Sequence, residues 1–443
     1  MPIPIPFPSV SAEQWKAQIL KDLKGKAYET LRWATPEGFV LEPFYTAEDL
    51  ETLPLETIQN AQKTSGGWLN TPPFTVRDDR ETNTRLRRAA SRGADALLLT
   101  LPNTPTDLTR LLDGLKLSDT PVFFRVTDGS RADVLLEKLV RIAPYQLKGG
   151  LLIDPVYNHF AHAISVGENY EALAEATRRA AGFPQFRTIS VQSQGFHHAG
   201  ATITQELAFT LAALAEQYDH LTDAGLEAAQ LFSKTIVSVS VGTSFFPEIA
   251  KLRALRLLLQ RFQAAWGVAP QPVFVHAQTS PFYYAAVEPY TNLLRATTEA
   301  MAAVIGGCDA LTVHPHDAAL NPASPSAEAQ EFSDRIARNI SILLKDESHL
   351  GRVADPAAGA YALEQLTHQL AEQAWALFLD MENRGGLTAA LPTIREELAR
   401  SYAAKVEALR TGRVMVGVNK YRAEETDAAA NPEVGPRLAS EFE

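Results

Sequence analysis

The chain has 443 residues and a mass of 48.4 kDa, with 46% hydrophobic and 21% charged residues. This composition is typical of a globular protein with a large core, and it excludes disordered and fibrous classes. The 52 acidic residues outnumber the 41 lysines and arginines, giving a formal net charge of −11, so nucleic acid and anionic membranes are not expected partners.

Cysteine usage and the N-terminal sequence indicate a cellular compartment. Cys308 is the single cysteine, so an intrachain disulfide and a cysteine-based zinc cluster are both impossible. The N-terminal stretch lacks the basic and continuous apolar regions of a signal peptide. No segment supplies the roughly 18 consecutive apolar residues of a membrane-spanning helix. We therefore expect a cytoplasmic protein with no membrane partner.

Residues 1–66 are predicted to form an N-terminal extension. Proline occupies every second position over Pro2–Pro8, which favours an extended arm without a fold of its own. Ser11 can cap a following helix that carries Trp15 and other apolar residues at helical spacing. An arm and helix of this kind can lie on the surface of another protein.

Residues 67–360 alternate short apolar stretches with long helical ones, a pattern typical of βα units. Several stretches are apolar throughout, as expected for parallel strands buried on both faces. Eight strands are predicted, the number that a closed (β/α)₈ TIM barrel needs. An open Rossmann-like sheet is the alternative, but no glycine-rich phosphate-binding motif follows any strand. The predicted strands are Ala94–Leu101, Val122–Val126, Gly150–Asp154, Thr188–Gln192, Ile236–Val241, Val273–His276, Ala310–Val313 and, on a weaker pattern, Arg352–Ala354.

Residues 361–443 are predicted to be mostly helical. Two helical stretches run over Tyr361–Met381 and Leu387–Leu409, and an acidic tail rich in alanine and proline follows. The predicted fold class is therefore α/β, a TIM barrel with an N-terminal extension and C-terminal helices.

The ends of the predicted strands carry many polar residues, and barrel enzymes hold their reactive groups there. His314, His316 and Asp317 could contribute to a metal site, but rim histidines bonded to loop backbone are the simpler interpretation. Ser193 lacks the G-x-S-x-G surroundings of a hydrolase nucleophile. Six arginines within residues 77–92 could bind a phosphate, although a solvated helix face is the simpler interpretation.

Four stretches carry a specific pattern along the predicted barrel. They are Ala199–Ala208 (AGATITQELA), Phe245–Ala254 (FFPEIAKLRA), His276–Ser280 (HAQTS) continuing to Pro289–Asn292 (PYTN) and Glu299–Ala303 (EAMAA), and Val353–Tyr361 (VADPAAGAY). Taken together and in this order, they resemble the barrel domain of the methylmalonyl-CoA mutase family from about Pro72 to Tyr421. The resemblance implies a barrel threaded along its axis by a CoA thioester, with adenosylcobalamin between the barrel mouth and a separate cobalamin-binding domain. Homolysis of the cobalt–carbon bond would then start a radical rearrangement of the carbon skeleton.

The sequence departs from the family pattern at the catalytic positions. The cobalamin-binding domain and its Asp-x-His-x-x-Gly motif are absent from this sequence. The family's catalytic Tyr-His pair would fall on Gln194 and Gly195, and Asp79 aligns with the tyrosine that shields the radicals. Asp309 stands where active barrels have a glutamine. The run that supplies the substrate-binding arginine is missing between Glu171 and Phe186.

This combination resembles the small, or beta, subunit of heterodimeric methylmalonyl-CoA mutases. The resemblance implies that a large, or alpha, subunit holds adenosylcobalamin and interconverts methylmalonyl-CoA and succinyl-CoA, while this chain contributes no catalytic residue and wraps that partner with residues 1–66. Two alternatives stay open: a catalytic acyl-CoA mutase barrel that uses a separate cobalamin-binding chain, and an independent CoA-binding barrel. The residues that the resemblance places near a CoA ester, if such a site is retained, are Thr75, Arg77, His276, Gln278 and Ser280.

Overall fold

A computed structural model describes residues 10–126, 131–162, 167–320, 326–422, 431 and 435–443, without the side chains of residues 161, 162, 167, 168 and 327. The predicted extended arm over Pro2–Pro8 lies outside the described residues.

Within the described residues, eight parallel strands form the centre of the molecule. Most are apolar and completely buried, as expected of strands covered on both faces. Two of them, β1 and β5, are each interrupted by a short break. The strands are β1 (Leu69–Asn70 and Pro73–Thr75), β2 (Leu97–Thr100), β3 (Val122–Arg125), β4 (Gly149–Leu152), β5 (Phe186–Arg187 and Ile189–Gln192), β6 (Thr235–Val241), β7 (Phe274–Thr279) and β8 (Ala310–Thr312).

The strand pairings run round a closed ring. The second part of β1 pairs with β2, and parallel pairing continues through β3 and β4 to the first part of β5. The second part of β5 pairs with β6, and pairing continues through β7 to β8. The ring closes where β8 pairs with the first part of β1, with Ala310 opposite Leu69. The predicted (β/α)₈ barrel is therefore confirmed.

One predicted strand is wrong, and one strand was missed. Arg352–Ala354 is not a strand, because Leu350–Arg352 forms a 3₁₀ turn. The strand that was missed is β1, the first strand of the barrel in chain order. Its Asn70 and its two prolines, Pro72 and Pro73, gave no apolar or β-branched run, and proline removes a ladder donor. Asp355 consequently does not follow a barrel strand.

Helices cover the outside of the barrel. Two of these helices, α10 (Ile203–Asp223) and α12 (Phe245–Ala265), have 21 residues each and are buried over most of their length. Both pack against the C-terminal helix α15 (Tyr361–Asn383). The helices are α1 (Ala12–Asp22), α2 (Ala47–Leu50), α3 (Leu55–Asn60), α4 (Asp79–Ala90), α5 (Leu108–Leu111), α6 (Ala132–Ile142), α7 (Pro155–His162), α8 (Gly167–Arg179), α9 (Gln194–His198), α10 (Ile203–Asp223), α11 (Ala228–Ser233), α12 (Phe245–Ala265), α13 (Thr291–Ile305), α14 (Ala327–Ile342), α15 (Tyr361–Asn383) and α16 (Gly386–Arg410).

The N-terminal extension contains the predicted helix and a small antiparallel ladder between Trp33–Ala34 and Val40–Leu41. Ser11 caps α1 through a reciprocal bond with Gln14, yet the helix buries none of its residues. In the turn of the ladder, Glu37 accepts hydrogen bonds from the first backbone N–H groups of α10, at 2.9 and 2.7 Å. The extension is thereby attached to the barrel while α1 itself stays on the surface.

The C-terminal segment is helical, as predicted, and α15 and α16 are joined by Gly385 and Gly386, both with positive φ. Gln59 of α3 donates to Glu364 of α15, so the segments on either side of the barrel sequence touch. The domain limits at residues 66 and 360 stay predictions. Within the described ranges, no helix combines the length and apolar character that crossing a membrane requires.

Candidate functional site

Aromatic side chains close the axis of the barrel. Alternate residues of each strand point into the lumen. Phe123 of β3 and Phe274 of β7 both do so, from strands four places apart in the ring of eight and therefore on opposite sides. Their ring centroids are only 5.6 Å apart. The other members of this apolar cluster are Leu69, Ala96, Leu98, Leu152 and Ile236.

Above this cluster, His276 of β7 forms a continuous chain of hydrogen bonds. Its Nδ1 atom lies 3.0 Å from the hydroxyl of Ser238, and its Nε2 atom lies 2.8 Å from the hydroxyl of Thr312. Thr312 donates its only hydroxyl hydrogen to the carbonyl of Thr71 at 2.7 Å, so it accepts from His276. Nε2 of His276 therefore carries the hydrogen, and Nδ1 accepts one from Ser238.

The imidazole of His276 has no free nitrogen for chemistry. Burial, with smaller effects from Arg125 and His314, lowers its pKa to about 3, so the ring is neutral at pH 7. The ring also stacks on Phe123, with centroids 6.3 Å apart and planes inclined by 8°. A metal ion or a substrate proton would have to break this chain to reach the ring.

Two glutamines extend the same chain. The side-chain amides of Gln278 and Gln194 donate to the Ser238 hydroxyl at 3.1 and 3.0 Å. The carbonyl oxygen of Gln278 in turn accepts from Nε2 of His314 at 3.3 Å. The structure thus brings His276 and Gln278 together around Ser238.

Ser280 belongs to a separate buried polar cluster. Its hydroxyl lies 2.8 Å from Nε2 of His197, whose Nδ1 lies 3.0 Å from Oε2 of Glu206. This order of groups is that of a nucleophile triad. The rings of Phe282 and Tyr283 lie over His197, however, and Ser280 has no exposure to solvent. The arrangement therefore stabilises the packing of β7 against α9 and α10.

Charges in this cluster are compensated inside the protein. Lys251 lies 3.0 Å from Glu206 and 2.6 Å from Glu248. Burial alone would raise the pKa of Glu206, but Lys251 and His197 outweigh it and lower the pKa to about 2. Burial raises the pKa of Glu299 well above its usual value, and one of its oxygens accepts from the Ser280 N–H at 2.9 Å. Burial therefore favours the protonated form of Glu299.

Three of the four stretches that carry the family resemblance meet in this cluster. Glu206 comes from the first stretch, Lys251 from the second, and Ser280 and Glu299 from the third. The fourth stretch supplies Asp355, which binds the second stretch through Arg253 in α12. Sequence reasoning missed these ion pairs, although the charged residues among the apolar ones of α12 were a signal for them.

The five predicted CoA-contact residues fall in three places. His276 and Gln278 lie in the lumen and Ser280 in the buried cluster. Thr75 and Arg77 lie at and just beyond the end of β1, both exposed on the rim. That these five residues contact a CoA ester stays a prediction.

The positions that depart from the family pattern have local structural roles. Asp79, the first residue of α4, accepts from the N–H of Asp107 at 3.0 Å. Asp309 precedes β8 at the lower end of the barrel and pairs with Lys63 and Arg256 at 3.3 and 3.0 Å. The carboxylate of Asp79 thus binds the loop before α5.

Histidines and arginines at the barrel rim also take part in ring contacts and ion pairs. The described ranges contain no group of three or more His, Cys, Asp or Glu residues placed to hold a metal ion. The ring of His316 stacks on Tyr290 at 5.2 Å, and Asp317 accepts from a serine hydroxyl at 2.5 Å. Arg85 and Arg88 of α4, and Arg92 just after it, pair with acidic residues of α14. Sequence reasoning also missed Arg125, a single arginine in an apolar strand.

These observations define a (β/α)₈ barrel whose axis is closed by aromatic rings and whose polar motif residues are held in buried clusters. Residues 102–439 match the methylmalonyl-CoA mutase family. The chain is 33% identical to a methylmalonyl-CoA mutase small subunit of Porphyromonas gingivalis, over 94% of this chain and 70% of that protein. The chain belongs to the methylmalonyl-CoA mutase family.

Relatives from one organism include both kinds of subunit. A methylmalonyl-CoA mutase small subunit of Streptomyces virginiae is 33% identical over 94% of this chain and 71% of its own length. The methylmalonyl-CoA mutase large subunit of the same organism is 30% identical over 94% of this chain and 62% of its own length.

Proposed function

We propose that this chain is the small, or beta, subunit of a cytoplasmic, adenosylcobalamin-dependent methylmalonyl-CoA mutase, and that it is non-catalytic. Its partner is a large, or alpha, subunit that holds the cofactor and interconverts methylmalonyl-CoA and succinyl-CoA. The small-subunit relatives support this assignment. The contribution of this chain is to stabilise the partner.

The contact between Phe123 and Phe274 carries the non-catalytic part of the proposal. An acyl-CoA that entered along the barrel axis would have to pass between two rings whose centroids are 5.6 Å apart. Face-to-face or tilted aromatic contact at this distance leaves no gap for a pantetheine chain. The closed hydrogen-bond chain of His276 and the carboxylate at Asp79 support the same conclusion.

The N-terminal extension supports the proposed partner contact. Helix α1 buries none of its residues, and Trp15 and Leu20 on its surface are 53% and 48% exposed. Trp33, in the ladder that follows, is 47% exposed. Large apolar side chains exposed on one segment are typical of a surface that a partner covers. We therefore assign the large-subunit contact to the N-terminal extension.

The test is to purify the tagged full chain from its native extract and identify its partners by mass spectrometry. The proposal expects a protein of equal amount that carries both a mutase barrel and an Asp-x-His-x-x-Gly domain. The isolated chain, given adenosylcobalamin and methylmalonyl-CoA, should form no succinyl-CoA and should not bind the CoA ester in calorimetry. The complex should bind the CoA ester and form succinyl-CoA. Formation of succinyl-CoA by the isolated chain would overturn the non-catalytic assignment, and binding of the CoA ester would contradict the closed axis.

A variant pair tests the proposed contact surface. Leu20→Asp should release the partner, because it places a charge on the exposed apolar side of α1. Tyr145→Asp, which changes a residue that is 97% exposed on the barrel, is the matched control and should keep the complex. Neither position lies in the buried core, so both variants should fold. Loss of the complex in both variants, or in neither, would contradict the assignment of this surface.

A further inference from the structure

Arg125 has unused hydrogen-bonding capacity inside the upper lumen. It lies two residues after Phe123 on β3 and therefore points to the same side of the strand. Its Nε atom donates to the side-chain oxygen of Gln192 at 3.2 Å. Its Nη2 atom is shielded from solvent and has no hydrogen-bond partner among the residues that the structure describes. An orphaned donor of this kind is rare in a folded protein.

The charge of Arg125 is likewise uncompensated among the described residues. Within the described ranges no carboxylate pairs with it, and the titratable group that favours its charged form is the phenol of Tyr157. The nearby imidazoles of His198, His276 and His314 are neutral, because burial, with Arg125 among the neighbouring charges, holds the pKa of each at about 3. Because Nη2 is shielded from solvent and no described carboxylate offsets the charge, this cation carries a desolvation cost.

Other polar atoms around the same space lack partners too. The side-chain oxygen of Gln194 and Nε2 of His198 are both buried and have no hydrogen bond to any described residue. Both residues belong to α9, which follows β5 at the upper end of the barrel. Unsatisfied groups from two separate elements therefore lie around the charge of Arg125.

The upper lumen is open at the mouth and closed below. Arg125, Gln194 and His314 are each partly exposed, so solvent reaches this space from the mouth. Phe123 and His276, which are 3% and 2% exposed, form the closed lower end. A ligand in this space must be small, because the axis below it is blocked.

We propose that the upper lumen of this barrel binds a small oxyanion, either a carboxylate or inorganic phosphate, on the guanidinium of Arg125. Such an anion supplies the acceptor that Nη2 lacks and the negative charge that the cation lacks. The flat donor fork of arginine matches the oxygens of a carboxylate or phosphate, which lysine would bind only as a point charge. This site is independent of the proposed subunit function, because it needs neither the partner nor a CoA ester.

The experiment titrates the isolated full chain with sodium succinate and, separately, with sodium phosphate, with sodium chloride at matched ionic strength as the blank. Calorimetry measures binding, and the thermal midpoint measures stabilisation. Arg125→Gln removes the charge and should fold, because it relieves an uncompensated buried cation. Arg141→Gln is the matched control. It removes the charge of a side chain that is 76% exposed and that pairs with Glu137 on the surface of the same helix.

The proposal expects saturable one-to-one binding of at least one anion to the wild-type chain and to Arg141→Gln, with affinity at least tenfold weaker in Arg125→Gln. The anion that binds more tightly identifies the source, carboxylate or phosphate. Equal stabilisation of all three proteins, or a response no greater than that to chloride, would overturn it. Formation of succinyl-CoA by the isolated chain would contradict the proposed subunit function and would leave the anion-binding result unaffected.

Discussion

The guanidinium of Arg253 lies 3.0 Å from the carboxylate of Glu364, and neither side chain has any exposure to solvent. Asp355 binds the other side of the same guanidinium through two bonds of 2.9 Å. Arg253 belongs to α12 and Glu364 to α15. One arginine with two carboxylates thus joins the barrel to the C-terminal helices.

Removing this arginine should destabilise the protein strongly. Arg253→Met leaves two carboxylates without their cation, and breaking a buried pair in this way costs about 3–5 kcal/mol. Urea unfolding followed by circular dichroism measures the change. Arg384→Met is the control, because its pair with Asp380 is about half exposed, and it should change stability by less than about 1 kcal/mol. Similar losses in both variants would contradict the structural role of Arg253.

The aromatic contact across the lumen should be visible in a double-mutant cycle. Phe123→Ala should cost about 3–5 kcal/mol, because Phe123 is only 3% exposed and its removal leaves a cavity. The coupling between Phe123→Ala and Phe274→Ala should be about 0.5–1.5 kcal/mol, the value of a direct aromatic pair. Phe246→Ala, at a position that is 61% exposed, should have little effect. Additive losses in the double variant would mean that the two rings do not touch.

Glu299 should make stability fall as pH rises. Its pKa is raised in the folded protein, so the folded state holds a proton that the unfolded state releases above about pH 4.3. The stability that this proton provides is lost as pH rises toward the folded pKa, with a slope of at most about 1.4 kcal/mol per pH unit. Glu299→Gln keeps the acceptor for the Ser280 N–H and removes the proton equilibrium. Unfolding curves at pH 5, 7 and 9 should therefore show a smaller decline in this variant, and parallel declines would contradict the assignment.

His276 should not titrate in the physiological range. Its folded pKa of about 3 lies below the unfolded value of about 6.5, so its contribution to stability is complete above that value and is lost as pH falls toward 3. Nitrogen-15 NMR between pH 5 and 8 should show one fixed tautomer with the hydrogen on Nε2. In the urea-unfolded chain the same ring should titrate near 6.5. A titration in the folded protein would show that the chain through Ser238 and Thr312 is broken.

The regular part of the fold was predictable because its signals are local. Apolar stretches such as Val122–Val126 and Ile236–Val241 predicted β3 and β6 within one residue of their observed limits. β1 was not predictable in this way, because its pairing partners stabilise a sequence that has little strand propensity of its own.

The site was less predictable, because its contacts join distant parts of the chain. The motif identified His276 as noteworthy, but the hydrogen of Thr312 that fixes its tautomer goes to Thr71, 241 residues away. The sequence shows Arg125 within an apolar strand. That no described carboxylate pairs with it, however, is a property of the assembled lumen. Polar partners of this kind follow from topology and not from sequence spacing.

The two breaks in the strands have a consequence for the shape of the ring. At the break in β1, the carbonyl of Asn70 accepts from two consecutive N–H groups, and at the break in β5 the carbonyl of Lys234 does the same. β1 and β5 lie on opposite sides, so the cylinder consists of two arcs joined at two seams. Phe123 belongs to one arc and Phe274 to the other. The contact between their rings therefore ties the two arcs together across the axis, in addition to the backbone bonds at the two seams.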